Sequence, residues 1–264
     1  MNAEPALHIT LAGAQTTGSW RARVHSIFAN AVNIIADGRR LTLLSNADWI
    51  SENNMIFSSR DIFPLIQPAA SIHTNGQGFY INGIRVAAYP AQAVWKMPVL
   101  PKKSIAPHAM EPVTSFLAES TSDTLTQMLE KQFQASIHHF FTHQTADFSR
   151  VIGAGHGLTP SGDDMLVGFA LAVFCYRTEA MDELGKCCQP YLENTTDISR
   201  YLLLDALSGR FTAPLTNLLL ALQHGQNIGH AIKTAAQIGS TSGKDGIFGL
   251  YHGLQLFHAA HKKQ

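Results

Sequence analysis

Three aspartates, one histidine and a set of hydroxyls crowd into two short stretches of this chain. They are the residues whose types and spacing could do chemistry. The first stretch is Gly153-Ala-Gly-His-Gly-Leu-Thr-Pro-Ser-Gly-Asp-Asp164 and the second is Gly239-Ser-Thr-Ser-Gly-Lys-Asp245. Glycines at alternate positions 153, 155 and 157, and again at 162 and 243, let the backbone come close to a ligand. His156, Thr159, Ser161, Thr241 and Ser242 can hydrogen-bond it, and Lys244 adds positive charge. Helix N-termini present unpaired N–H groups and a positive dipole end, so two convergent ones would make a site for a small anion. His156, Asp163 and Asp164 are the candidates for catalytic proton transfer. Asp163, Asp164 and Asp245 also place negative charge at the same helix starts. Either the anion is met mainly by N–H groups, or a divalent cation such as Mg2+ sits between acid and ligand. The pattern leaves both open.

Two helices must position these groups. Thr159-Pro160-Ser161 carries helix-start signals, and Ser161 and Asp164 have the three-residue spacing of a capping box, which predicts a helix from about Gly162 to Tyr176. The design returns as Ser242-Gly243-x-Asp245. Aligning Ser161 with Ser242 puts Gly162 on Gly243, Asp164 on Asp245, Leu166 on Ile247, Gly168 on Gly249 and Phe169 on Leu250, every offset being 81 residues (242 − 161). Glycine seven residues after each serine leaves a flat spot. The expectation is that the two helices pack closely and bring their N-terminal loops together. A capping box alone is ordinarily structural. The glycine run before the first box is what a cap does not require.

The period of the chain changes near its middle. Residues 1 to about 100 read as strands: Leu7–Leu11 alternates, Val24–Ala36 turns at Asp37-Gly38 into Arg40–Leu44, and Phe79–Asn82 turns at Gly83 toward Tyr89. Ser58–Asp61 begins a short helix ended by Pro64, and Trp20, Arg21, Arg23 and His25 read as an edge or a solvated face. Pro98 to Pro112 reads as a proline-studded linker. Beyond it come helices over Ser122–Thr145, 182–191, 198–207, 215–223, 228–238 and 244–260. The fold class expected is α+β, an N-terminal β-rich sheet or partial barrel followed by an all-helical C-terminal half. The division expected is 1–112, strands plus linker, and 113–264, the helical domain with both motifs.

Composition narrows the function classes. Among 264 residues, Lys+Arg and Asp+Glu number 19 each, so bulk charge attracts neither nucleic acid nor an acidic membrane. Weak net charge favours a subunit role. Cys175, Cys187 and Cys188 form neither a disulfide framework nor a zinc spacing. His139 and His143 stand one helical turn apart without a Cys or carboxylate to complete a metal site, and read as solvated. No basic-then-apolar leader is visible and no run approaches the ~20 apolar residues of a membrane helix, so the expected place is the cytoplasm.

Two familiar phosphate loops are excluded by spacing. A dinucleotide fingerprint at Gly153-x-Gly155 fails at Leu158, where glycine or alanine belongs. A P-loop at Gly239–Lys244 has three residues between its glycines and Asp245 after the lysine.

The string Gly-x-Gly-Leu-Thr-Pro-Ser-x-Asp-Asp at 155–164 resembles the AllH-like family, long carried as a domain of unknown function. The later Gly-x-Thr-Ser-Gly-x-Asp-x-aliphatic-x-Gly at 239–249 matches too, as do Thr195-Thr196…Ser199 to Phe211 and Leu218–Leu222. Ser240 departs from the pattern, standing where the family often has histidine. The resemblance implies a subunit of a carbamoyltransferase-type enzyme acting between phosphate and oxamate in purine or allantoin degradation, with other protein subunits as partners. Carbamoyl phosphate or an oxamate or oxalurate carboxylate would suit the anion site. Two classes therefore stand: an enzyme subunit whose loops bind a small anionic substrate, and a non-catalytic assembly subunit whose boxes are structural.

Overall fold

The computed structural model describes residues 7–88, 94–119 and 123–261; Tyr89 and Ser122, expected in a strand and a helix, lie outside them. The chain divides into two compact units, residues 1–97 and 98–264. The first is strands and the second helices, so the class is α+β.

The N-terminal unit is one nine-strand sheet. Its strands are β1 (Leu7–Gly13), β2 (Ser19–Ile27), β3 (Ala31–Ala36), β4 (Arg39–Leu44), β5 (Asn54–Phe57), β6 (Ser71–Asn75), β7 (Gly78–Ile81), β8 (Ile84–Ala88) and β9 (Val94–Trp95). Their order is β5-β4-β3-β2-β6-β7-β8-β1-β9, and an added β1–β5 pairing curls the sheet back on itself as a partial barrel. Asp37 and Gly38 turn β3 into β4, and Asn82 and Gly83 turn β7 into β8. Both pairs have positive φ (49° and 74°, 51° and 81°), which fits the right-handed twist of a two-residue hairpin.

Two expectations are corrected. The apolar run from Val24 to Ala36 is not one strand but the end of β2 and all of β3, with a turn at 28–30 that no Gly or Pro marks. Nor is the Trp20 cluster at an edge, because β2 lies inside the sheet between β3 and β6; Arg21 and Arg23 are exposed, which is the solvated-face alternative. Trp20 is buried, edge-on to Phe79 with centroids 6.2 Å apart, and donates Nε1–H to the Thr16 carbonyl at 2.9 Å.

The helical unit contains α1 (Pro107–Glu119), α2 (Thr124–His143), α3 (Ser161–Tyr176), α4 (Met181–Cys188), α5 (Asp197–Leu207), α6 (Ala213–His224), α7 (Ile228–Ala236) and α8 (Ser242–His261). Helix α1 stands where the prolines suggested a linker. Pro107 opens it, where a missing N–H costs nothing, and Pro112 interrupts one bond without ending it. The stretch before α1 is docked on polar side chains of α3 and α6, the buried Gln223 and the half-buried Tyr176. Gln223 Nε2 donates to the Pro101 carbonyl at 2.6 Å, and the Tyr176 hydroxyl donates to the Lys103 carbonyl at 2.6 Å. Burial pushes the Tyr176 phenol up to about 12, which keeps it a neutral donor.

Helix α3 is apolar on nearly every face and therefore central. Phe133 and Phe140 of α2 stand edge-on to its Phe169 at 6.4 and 5.9 Å. Against α8 it carries no side-chain cushion. A Cβ at Gly168 would overlap the Gly246 carbonyl oxygen, and one at Gly249 would overlap that of Met165. Adding 81 to Met165 and Gly168 gives Gly246 and Gly249, so one contact is the image of the other. The duplicated motif thus forms a pair of helices related by a local pseudo-twofold axis.

Candidate functional site

The two helix starts meet, but not as local capping boxes. Helix α3 begins at Ser161 itself, with Pro160 in the cap position and no side-chain cap. That places Asp164 in the fourth helical position, too far along to reach back to the cap. The serine–aspartate pairs form across the helices instead. Ser242 of α8 hydrogen-bonds Asp164 of α3, and Ser161 of α3 hydrogen-bonds Asp245 of α8. Thr159 bonds Asp164 and lies 2.7 Å from the Ser242 hydroxyl, while Thr241 bonds Asp245. The expected capping box is therefore corrected to a crossed clasp, four hydroxyls on two acids, tying both loops together.

Asp163 has a different task. It is 1% exposed and accepts from Gly153 N–H at 2.9 Å, from the Ser199 hydroxyl at 2.6 Å and from the Thr195 hydroxyl. It joins the glycine loop to α5, whose start Thr196 caps by accepting from Ser199 N–H at 3.1 Å. The Thr196 hydroxyl also donates to the Leu158 carbonyl. Thr195 and Ser199 were missing from the candidate site residues. Their signal was the Thr-Thr-x-x-Ser run, which reads as a cap and gives no hint of a distant carboxylate.

The remaining residues divide by exposure. Gly155, His156, Gly157 and Leu158 are exposed, and so are Ser240 and Thr241. Among the described residues His156 makes no hydrogen bond to the three aspartates; its charge is felt by Asp123, the cap of α2. Lys244 is half-buried and its charge favours ionised Asp245. Two expected helix-start donors are already engaged: Gly162 N–H bonds the Ala154 carbonyl and Gly243 N–H the Ile238 carbonyl, each at 2.9 Å. Open donors belong to the loop, where the backbone N–H groups of Gly155, His156 and Gly157 have no backbone partner among the described residues.

Electrostatically the three acids are strained toward neutrality. Burial raises Asp164 to about 8, and the nearby charges of Asp245 and Asp163 push the same way against the bonds from Ser242 and Thr159. Burial likewise raises Asp245, opposed by Ser161, Thr241 and Lys244, and raises Asp163, opposed by its three donors. A carboxyl raised in the folded state stays protonated after the unfolded chain, near 3.8, has lost its proton. Its contribution is full below that value and disappears as pH rises through the folded one. The helical unit is therefore expected to lose stability from pH 5 to 8.5, by up to about 1.4 kcal/mol per pH unit for each proton involved. Urea unfolding at several pH values measures this. Asp164→Asn should flatten the slope, and an unchanged slope would contradict the assignment.

Elsewhere, His139 and His143 stack with centroids 4.3 Å apart, and the His143 ring reaches the His139 carbonyl. Among the described residues no group of three or more His, Cys, Asp or Glu is arranged to hold a metal ion, and no helix is long and apolar enough to cross a membrane.

Compared with known proteins, residues 151–254 match the family model described as oxamate carbamoyltransferase subunit AllH. The match covers less than half of the chain, all within the helical unit, and includes both clasp motifs. No solved structure matches.

Proposed function

We propose, from the AllH match of residues 151–254, that this chain is a subunit of a carbamoyltransferase-type assembly in purine or allantoin degradation, working with other protein subunits. In this reading the glycine loop, held beside the clasp, binds a small anion of the carbamoyl phosphate or oxamate class. The observation that carries it is the coincidence of the matched segment with the two loops that Thr159 and Ser242 tie together. Residues 155–157 are exposed and their N–H groups have no backbone partner among the described residues, and the Lys244 charge acts on Asp245. Both favour an anion. In the transfer, the oxamate nitrogen bonds to the carbamoyl carbon, the carbon–oxygen bond to phosphate breaks, phosphate departs and the nitrogen gives up a proton. His156, the exposed imidazole of the loop, is the group suited to take that proton. Thr159, Ser161, Thr241, Ser242 and the adjoining glycines shape the site.

A second reading has its own support. Asp163 is saturated by protein donors, as a structural acid would be. In an assembly subunit without catalysis the whole clasp would serve the fold. Thermal shift with carbamoyl phosphate, oxamate and inorganic phosphate separates the two. The substrate reading expects a raised melting temperature with at least one of them. It expects the shift to persist, at most reduced, in His156→Ala while carbamoyl transfer by the assembly falls, and the unliganded melting temperature of that variant to stay within about 1 °C of the parent because the side chain is exposed. If no anion shifts the parent protein, the assembly reading stands.

A further inference from the structure

We propose that Asp164 and Asp245 together hold one hard divalent cation, of the Mg2+ or Mn2+ class, between the starts of α3 and α8. The two carboxyls are 7% and 3% exposed, and each is bonded by a serine of the opposite helix, which places both where those starts meet. On each, Oδ2 is buried without a hydrogen-bond partner among the described residues. A native fold rarely leaves such an atom unsatisfied, and here two occur at positions equivalent under the 81-residue repeat. The two carboxyls are close enough for the charge of Asp245 to act on Asp164. A dication would satisfy both oxygens and cancel both charges. Thr159, Ser161, Thr241 and Ser242 add hard oxygen atoms around the acids. With no third carboxylate, imidazole or thiolate in a cluster among the described residues, the other ligands would be hydroxyl oxygens and water, the usual habit of Mg2+. Asp163, Glu130 and Lys244 are the other charged groups acting on the two acids, and Lys244 alone opposes a cation.

This inference uses the carboxyls and not the loop, so it holds whether or not the loop binds an anion. The test is a Mn2+ titration of the full chain followed by electron paramagnetic resonance, after chelation and dialysis. Expected is one saturable Mn2+ per chain, displaced by Mg2+, with affinity rising from pH 6 to 8 as the metal replaces protons. Asp164→Asn and Asp245→Asn should each weaken it by at least about tenfold, while Asp182→Asn, on the exposed start of α4, leaves it unchanged. Absence of a saturable site in the parent protein overturns the proposal, and so does unaltered affinity in both Asn variants. Circular dichroism shows whether each variant is folded; the parent titration and its pH dependence decide the matter if one is not. Mn2+ binding without any anion-induced thermal shift would sink the substrate reading alone.

Discussion

Gly249→Ala is expected to lower the stability of the helical unit by at least about 3 kcal/mol, a large share of the roughly 5–15 kcal/mol that holds a domain together. The sign runs against local propensity. Alanine is the better helix former by about 1 kcal/mol, so an unpacked glycine in a helix gains from the change. Gly249 is packed on backbone, not on a yielding side chain: its new Cβ would overlap the Met165 carbonyl oxygen and crowd Met165 Cα. Relief requires α8 to move away from α3, and the cores around Phe169, Phe133 and Phe248 would open with it. Gly168→Ala should do the same from the other side, against Gly246 and Leu250. Gly185→Ala in α4, where an added Cβ meets nothing within 4 Å, should leave stability unchanged or raise it slightly. Chemical unfolding of the three variants checks this. A Gly249→Ala protein that unfolds with the parent would mean that the helix contact is looser than described.

The close contact was legible in sequence because it depends on a repeated small residue at a fixed distance from a repeated serine. Gly168 and Gly249 carry that information without help from the rest of the chain. The helices themselves were legible for the same reason, since periodicity and caps such as Thr196 and Gly225 are local. The destination of Asp164 and Asp245 was not. A Ser-x-x-Asp spacing has the same letters whether the acid turns back to its own cap or crosses to another helix, and Pro160 decided it by taking the cap position. Helix α1 was hidden because proline at a first helical position reads the same as proline in a linker, and Pro112 reinforced the misreading. The turn between β2 and β3 was hidden because Phe28-Ala-Asn30 has neither Gly nor Pro, and a single Asn is its only turn signal. Of the site, the residue types and their convergence could be read. Which acid is structural and which are left with unsatisfied oxygens depends on donors more than 30 residues away.

That distinction gives the second large effect. Asp163→Ala is expected to cost about 3 kcal/mol, because it strands three donors at once: the buried Ser199 hydroxyl and the half-buried Gly153 N–H and Thr195 hydroxyl. Each of these groups belongs to a different piece of the structure, the glycine loop, the approach to α5 and α5 itself. Amide hydrogen exchange should therefore rise together at 151–160 and 194–199, while α2 and α6 keep their protection. Asp163→Asn should cost only about 1 kcal/mol, since its carbonyl oxygen can still take the Gly153 bond and the two hydroxyls can rotate to accept from the amide. In the metal-free protein Asp164→Asn should cost little near neutral pH, because a carboxyl raised to about 8 is already mostly uncharged there and the amide replaces it in shape. Adjacent residues of one type would then differ severalfold in their effect on the fold. Equal losses for Asp163→Asn and Asp164→Asn, or exchange that rises at only one of the two segments in Asp163→Ala, would show that Asp163 is not the tie between loop and helix.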